Sequence, residues 1–483
     1  MANNLKYSSA AALRTSTAAG LVCGLLIVSP ARADLRAVSG LNEVQRNLAS
    51  TIHTICPGLA AKVNASTASA EETNLFIACN RMIQTSNALQ GADSGTGNAL
   101  PNVTEEQLVE ALAEIDHEEV LAHSRNARDT AQQQLNGIAA RLAALRSGRA
   151  RPGAAGLTLN FGGQQWRAED LFTALSGGAA GEDDSATGWF LNGGINFGSK
   201  DETSREEGYD FDTVSLTAGF DHRISETMIA GGAVGYAQSE SRLDNNKDSA
   251  DSEGYSASLF ASWLSENGWN IDIFANFGQY DFTTVRDMST VSGAINAQDA
   301  APPDGNSLTS ALPQKIRGDT EGTSTSLSLA ISRDFTTGAH TFSPFSRVVW
   351  EKTDIDGYTE AGSSGLELDV AAQEPESLEW VLGFDWSKAV STRQGVLTPQ
   401  FRGEYHREFK DDGALIAANY TYDETKTVFL APTDTADRNY FIFGAGVGLV
   451  TQGGWQSFLY YERTSDLKNM VSHVVTFGVR GEF

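Results

Sequence analysis

Residues 475–483 read VTFGVRGEF, and their alternation decides the fold. Val475, Phe477, Val479, Gly481 and Phe483 fall on one face of an extended strand, and Thr476, Gly478, Arg480 and Glu482 on the other, because successive side chains of a strand point to opposite sides. The arginine and glutamate need water while the opposite face needs an apolar neighbour. The same parity recurs upstream. Leu397, Pro399, Phe401 and Tyr405 oppose Gln400, Arg402, Glu404 and His406; Pro344, Val348 and Trp350 oppose Ser343, Arg347 and Glu351; Trp380, Leu382, Phe384 and Trp386 oppose Glu379, Gly383, Asp385 and Ser387.

A soluble sandwich also alternates, and three further features separate it from a membrane barrel. The runs are about 11 to 15 residues long, against about 5 or 6 in soluble strands, and tilted membrane strands need about 9 to 11 to cross. Trp189, Trp263, Trp269, Trp350, Trp386 and Trp455 sit towards run ends, where interfacial girdles form. Connections also alternate between short and long. Runs near 188–198, 211–222, 227–240, 253–265, 268–284, 322–335, 339–353, 376–390, 395–409, 437–451, 454–464 and 470–483 give about twelve antiparallel strands of a transmembrane β-barrel. Short turns at 221–226, 266–268, 336–338, 391–395 and 452–454 belong to the periplasmic side. The long connections 200–210, 241–252, 286–321, 353–376 and 410–438, rich in Asp, Gly, Ser and Pro, read as solvated outer loops.

Composition agrees. The chain has 483 residues, 47 glycines, 23 phenylalanines and a formal charge of −26; an acidic surplus excludes nucleic acid, whose phosphates need clustered Lys and Arg. Lys6 and Arg14, the apolar run 18–28 and the Ala31-Arg32-Ala33 sequence read as a signal peptide, residues 1–33, that engages the Sec translocon and is cut before Asp34. Its removal leaves Cys56 and Cys79 as the only thiols in an oxidising compartment, so a disulfide between them is expected.

The stretches 342–362 (FSPFSRVVWEKTDIDGYTEAG) and 395–408 (GVLTPQFRGEYHRE), with the terminal Phe483, resemble the translocator domain of type V autotransporters over residues 188–483. That resemblance implies insertion into the outer membrane of a Gram-negative bacterium, with outer-membrane lipid, periplasmic chaperones and the barrel-assembly machinery as partners. It also implies that Phe477, Val479 and Phe483 form the signal which that machinery reads. Residues 134–146 (QLNGIAARLAALR) resemble the helix that threads the pore of family barrels; the long segment 147–187 before the first strand is a departure from the family pattern.

The domain organisation expected is therefore a signal peptide, a helical region over 34–149, a linker or pore segment over 150–187 and the barrel over 188–483. In the helical region Leu108, Leu112, Ile115, Val120 and Leu121 recur at helical spacing after a Thr104–Gln107 capping pattern. The stripe Leu135, Ile138, Leu142 and Leu145 is either the buried face of a small helical unit or the pore-threading helix. A second short helix is readable at 165–175. In autotransporters the N-terminal region is the exported passenger; here its shortness and its cysteine-closed loop leave open a periplasmic plug or binding domain with no export.

Chemistry-bearing residues give no catalytic constellation. Residues 91–98 (GADSGTGN) only faintly resemble the nucleophile block of GDSL-type esterases, and His53, His117 and His123 have no paired acid in sequence. Arg347, Glu351, Arg402, Glu404, Glu462 and Arg480 read as lumen charges that hold water and neutralise one another. No catalytic residue, metal site or cofactor is assigned.

Overall fold

The computed structural model describes residues 34–483 apart from 93–94, 118–119, 121–124, 126, 129, 133–134, 136–137, 139–157, 162–163, 168–186, 245–247, 300–305, 452–455 and 481–483. The signal peptide, Leu142, Leu145, Phe483 and the 452–454 turn thus lie outside the described residues.

Twelve long antiparallel strands close into a barrel: β1 Thr187–Lys200, β2 Tyr209–Ser225, β3 Met228–Leu243, β4 Ser249–Leu264, β5 Trp269–Asp287, β6 Lys315–Arg333, β7 His340–Ile355, β8 Glu376–Lys388, β9 Gly395–Glu408, β10 Asn439–Thr451, β11 Gln456–Ser465 and β12 Met470–Arg480. Closure is direct. The last strand pairs with the first, from Met470↔Lys200 to Val479↔Leu191, so no edge is left to aggregate. The parity read from the sequence holds around the wall. Ile195, Val234, Leu259, Ile273, Phe277, Leu329, Leu382, Phe401, Phe443, Leu459 and Phe477 are exposed on the outside, whereas Asn192, Asn196, Ser258, Asn276, Ser326 and Ser328 are buried inside.

The long connections depart from the solvated loops expected. Between β5 and β6 the chain forms helix α4, Ser289–Asp299. The connections after β7 and β9 contribute Tyr358–Thr359, Leu368–Val370, Leu415–Tyr420 and Phe429–Pro432 to a separate antiparallel sheet. Against this platform lie three N-terminal helices, α1 Glu43–Asn64, α2 Ala70–Leu89 and α3 Glu105–Ala113. Each begins with a capping box, Asn42–Gln45, Ser69–Glu72 and Thr104–Gln107, that satisfies backbone N–H groups the first turn leaves orphaned.

One hydrophobic core joins the two parts. Leu48, Ile52, Leu75, Met82, Leu108 and Leu112 of the helices pack with Val291, Ile295, Leu368, Val370, Ile416, Tyr420 and Phe429 of the connections. Each large aliphatic side chain so buried contributes roughly 1.5–3 kcal/mol. The composition of the connections hid this, because their apolar residues are spaced among Gly, Ser and Asp. Contact is close enough to involve backbone: Gly365, at φ +95, lies where a Cβ would stand 2.3 Å from the Glu71 carbonyl oxygen on α2.

The segment read as a second pore helix differs too. Its described residues belong to a two-stranded hairpin, Thr158–Phe161 with Gln164–Arg167, in which β-favouring Thr, Phe and Trp occur.

Candidate functional site: the lumen and its outer cap

Of the described helical residues between 125 and 138, Ala127, Arg128, Leu135 and Ile138 meet the inner face of the barrel wall. At the upper end Ala127 packs with Tyr280, Phe282 and Ile355. Two to three turns further on, Leu135 and Ile138 pack with Phe190, Ile229, Phe260, Phe274 and Val349. The helix therefore descends from the cap, on the side of the long connections, towards the side of the short turns where β1 begins. Of the two readings left open for the 135–145 stripe, its described members occupy the pore.

The lumen charges cluster on β7, β8, β9 and β11. Arg347, Glu351, Arg402, Glu404 and Glu462 are all buried towards the interior. Arg402 bonds Asp385, its direct cross-strand partner, through Nε at 2.7 Å, and Arg347 lies 3.4 Å from Glu404. Arg480 stands on β12 opposite Gln456, and its side chain lies outside the described set. Phe477 faces outward and Val479 shares its parity on the same strand.

Sequence reading missed the centre of this network. Glu379 and Glu408 are direct partners on β8 and β9, and two carboxylates so placed repel one another. Arg128 of the lumen helix stands between them, 2.6 Å from Glu379 and 3.0 Å from Glu408. Tyr440 donates to Glu379 at 2.7 Å, and His406, stacked on the Tyr440 ring, bridges Glu379 and Glu404 at 3.3 and 2.8 Å. The signal existed, since Arg128 falls two turns before Leu135 and thus on the same helical face, and Glu408 continues the parity of Glu404 and His406.

In the cap, Cys56 of α1 and Cys79 of α2 form a disulfide with Cα atoms 6.1 Å apart. The histidines considered as bases are built into structure: His53 Nε2 accepts from the Leu35 N–H, and His117 is wholly buried beside the Ile416 carbonyl and edge-on to Phe429. His123 and Ser94 lie outside the described residues. Among the described residues no group of three or more His, Cys, Asp or Glu side chains is arranged to hold a metal ion.

A family model described as the autotransporter beta-domain matches residues 189–462. Among curated proteins, Esterase EstA of Pseudomonas aeruginosa is 25% identical over 231 residues, 46% of this chain and 32% of the esterase. Lipase 1 of Photorhabdus luminescens is 23% identical over 276 residues, 56% of this chain and 38% of the lipase. The chain thus spans between 32% and 38% of the length of these relatives. Among solved structures, the translocator domain of the autotransporter NalP from Neisseria meningitidis aligns with a TM-score of 0.47 at 14% identity, over 62% of this chain and 90% of that one. The β-domain of the Bordetella autotransporter BrkA gives a TM-score of 0.43 at 17% identity, over 62% and 100%.

Proposed function

The chain belongs to the autotransporter beta-domain family, and from that premise we propose that its barrel carries its own N-terminal region, residues 34–116, through the lumen to the cell surface and keeps it there. The observation that carries this reading is the shared core: α1, α2 and α3 bury their apolar faces on the long connections, and the lumen helix joins that cap to the strand that starts at the opposite end of the barrel. Outward threading of the N-terminal region would leave the chain in this arrangement, with the cap outside, the helix in the pore and the wall after it.

The barrel is transport machinery of type V secretion in the outer membrane. On the proposed reading the signal peptide hands the chain to the Sec translocon, periplasmic chaperones hold it, and Phe477, Val479 and Phe483 present the last strand to the barrel-assembly machinery. The displayed unit is proposed to have no hydrolytic activity, since His53 and His117 are committed to structural contacts; steady turnover of a short-chain p-nitrophenyl ester by the purified chain would argue the opposite.

The deciding experiment inserts an epitope in the exposed turn between α1 and α2, at residues 66–68, and labels intact cells with antibody. Surface display gives labelling without permeabilisation. A periplasmic plug domain gives labelling only after the outer membrane is breached.

A further inference from the structure

The interface between the N-terminal helices and the barrel rim is mostly apolar, yet it encloses charges. Arg286, at the upper end of β5, is 0% exposed, and its partner Glu360 is 4% exposed. Arg286 Nε lies 2.7 Å from Glu360 Oε1, and Glu360 Oε2 also accepts from the Leu368 N–H at 2.8 Å. The same guanidinium donates to the Leu366 carbonyl at 2.9 Å and to the Glu114 carbonyl, just past the end of α3, at 3.3 Å. Glu114 answers in the other direction. Its buried carboxylate accepts from the Thr290 and Val291 N–H groups at 2.9 and 2.7 Å, in the first turn of α4.

A buried ion pair adds little net stability over apolar residues of the same size, and its best-attested use is to fix register. Each contact here also follows helix electrostatics: the guanidinium sits at the carbonyl end of α3 and the carboxylate at the amide end of α4. Sliding α3 by one residue would bring Ala113 or Ile115 to this point, leaving the α4 amides without their carboxylate in a dry interface; Arg286, which meets α3 at a backbone carbonyl, anchors the helix end to Glu360. Such a slide also turns the helix by about 100° and takes Leu108 and Leu112 off the core. The charges add a further cost to it.

We infer that Glu114 and Arg286 form a reciprocal lock that makes the barrel rim a specific docking site for one partner, the helical segment 34–116 of the same chain, in a single register. The lock turns the segment from cargo into a fixed lid whose core is completed by the barrel. It gives a physical reason for the unit to remain on the cell rather than be shed, and in that sense it rests on the proposed outward placement.

The test uses the full-length protein extracted from membranes into detergent, so it does not depend on which side of the membrane the unit occupies. Limited proteolysis follows cleavage within 34–116, while heat-modifiable migration reports the barrel. Glu114→Ala is expected to raise the cleavage rate roughly tenfold or more, the size expected when hydrogen bonds to a charged group are lost, with the barrel unchanged. Arg286→Met should do the same, and adding Glu360→Met should recover part of the resistance by removing the stranded carboxylate. Cleavage of Glu114→Ala at the wild-type rate would overturn the lock, as would full resistance of Ala113→Glu/Glu114→Ala, which moves the carboxylate by one residue. Should Arg286→Met fail to give a heat-modifiable barrel, the two Glu114 variants, which leave the wall untouched, decide alone. An unlabelled epitope on intact cells combined with a protease-sensitive Glu114→Ala would reject surface display and keep the lock.

Discussion

Arg128 holds Glu379 at 2.6 Å from 251 residues away in the chain, and Glu379 faces another acid, Glu408, directly across the strand pair. Arg128 thus offsets the repulsion between the two facing carboxylates, beside the wall's own contacts from Tyr440 and His406 to Glu379 and from Ser377 to Glu408. Arg128→Ala is expected to strip the two carboxylates of charged hydrogen bonds worth about 1.5–3 kcal/mol and to loosen the helix in the pore. The readout is ion conductance in planar bilayers, with open events more frequent in the variant. Arg128→Lys should fall between, since an ammonium supplies charge without a planar fork. Equal conductance in all three proteins would mean that apolar contacts at Leu135 and Ile138 hold the helix alone.

The facing of the strands predicts opposite outcomes at neighbouring residues. Leu329 is 55% exposed on the outer face of β6 and Ser328 is 7% exposed towards the lumen. Leu329→Arg should lower barrel assembly by about 2–4 kcal/mol if it sits near the bilayer midplane, while Ser328→Asn should assemble normally. The same parity on β12 makes Val479→Arg damaging and Arg480→Gln tolerated. The fraction of heat-modifiable protein in outer-membrane preparations measures all four, and equal tolerance within a pair would reverse the assigned faces.

The barrel was legible because its signal is local. Alternation needs only a residue and its second neighbour, so runs such as 268–284 and 395–409 declared both their length and their faces. The cap was not, because its partners are far apart: Leu366, Leu368 and Val370 alternate along one short stretch, as Ile416, Ala418 and Tyr420 do along another, but each run is too brief to stand out from Gly- and Asp-rich surroundings. Nothing within 353–376 states that the neighbour is a helix near the start of the chain. Arg128 was lost for a related reason, since a lone arginine on a helix is ordinary until the two facing acids are known.

The disulfide yields a prediction confined to the cap. Cys56 and Cys79 are 23 residues apart, and the loop-closure entropy of a bridge that long corresponds to about 3 kcal/mol. Paired Cys56→Ser and Cys79→Ser replacements should lower the temperature at which the helical signal of the cap melts and leave the barrel's resistance to heating in detergent unchanged. A matching drop in both would show that the cap supports the wall.

Acid should loosen the cap through His117. Burial holds its pKa down to about 4, from an ordinary 6.5; Arg286 nearby also disfavours the imidazolium, while the hydrogen bond to the Ile416 carbonyl favours it. Between those two values the unfolded histidine takes up a proton that the folded one refuses. The stabilisation is therefore complete above pH 6.5 and declines as the pH falls towards 4, by about 3 kcal/mol over the window. Glu114 works in the opposite sense: burial raises its pKa, so its contribution is present at acid pH and fades as the pH rises through and above the ordinary carboxylate range. Protease resistance of residues 34–116 between about pH 7.5 and 4.5, a range that brackets most of the histidine's window, should consequently fall on acidification in the wild type and fall less in His117→Gln, whose amide keeps a donor for Ile416. Superimposable profiles for the two proteins would assign the acid sensitivity to another group.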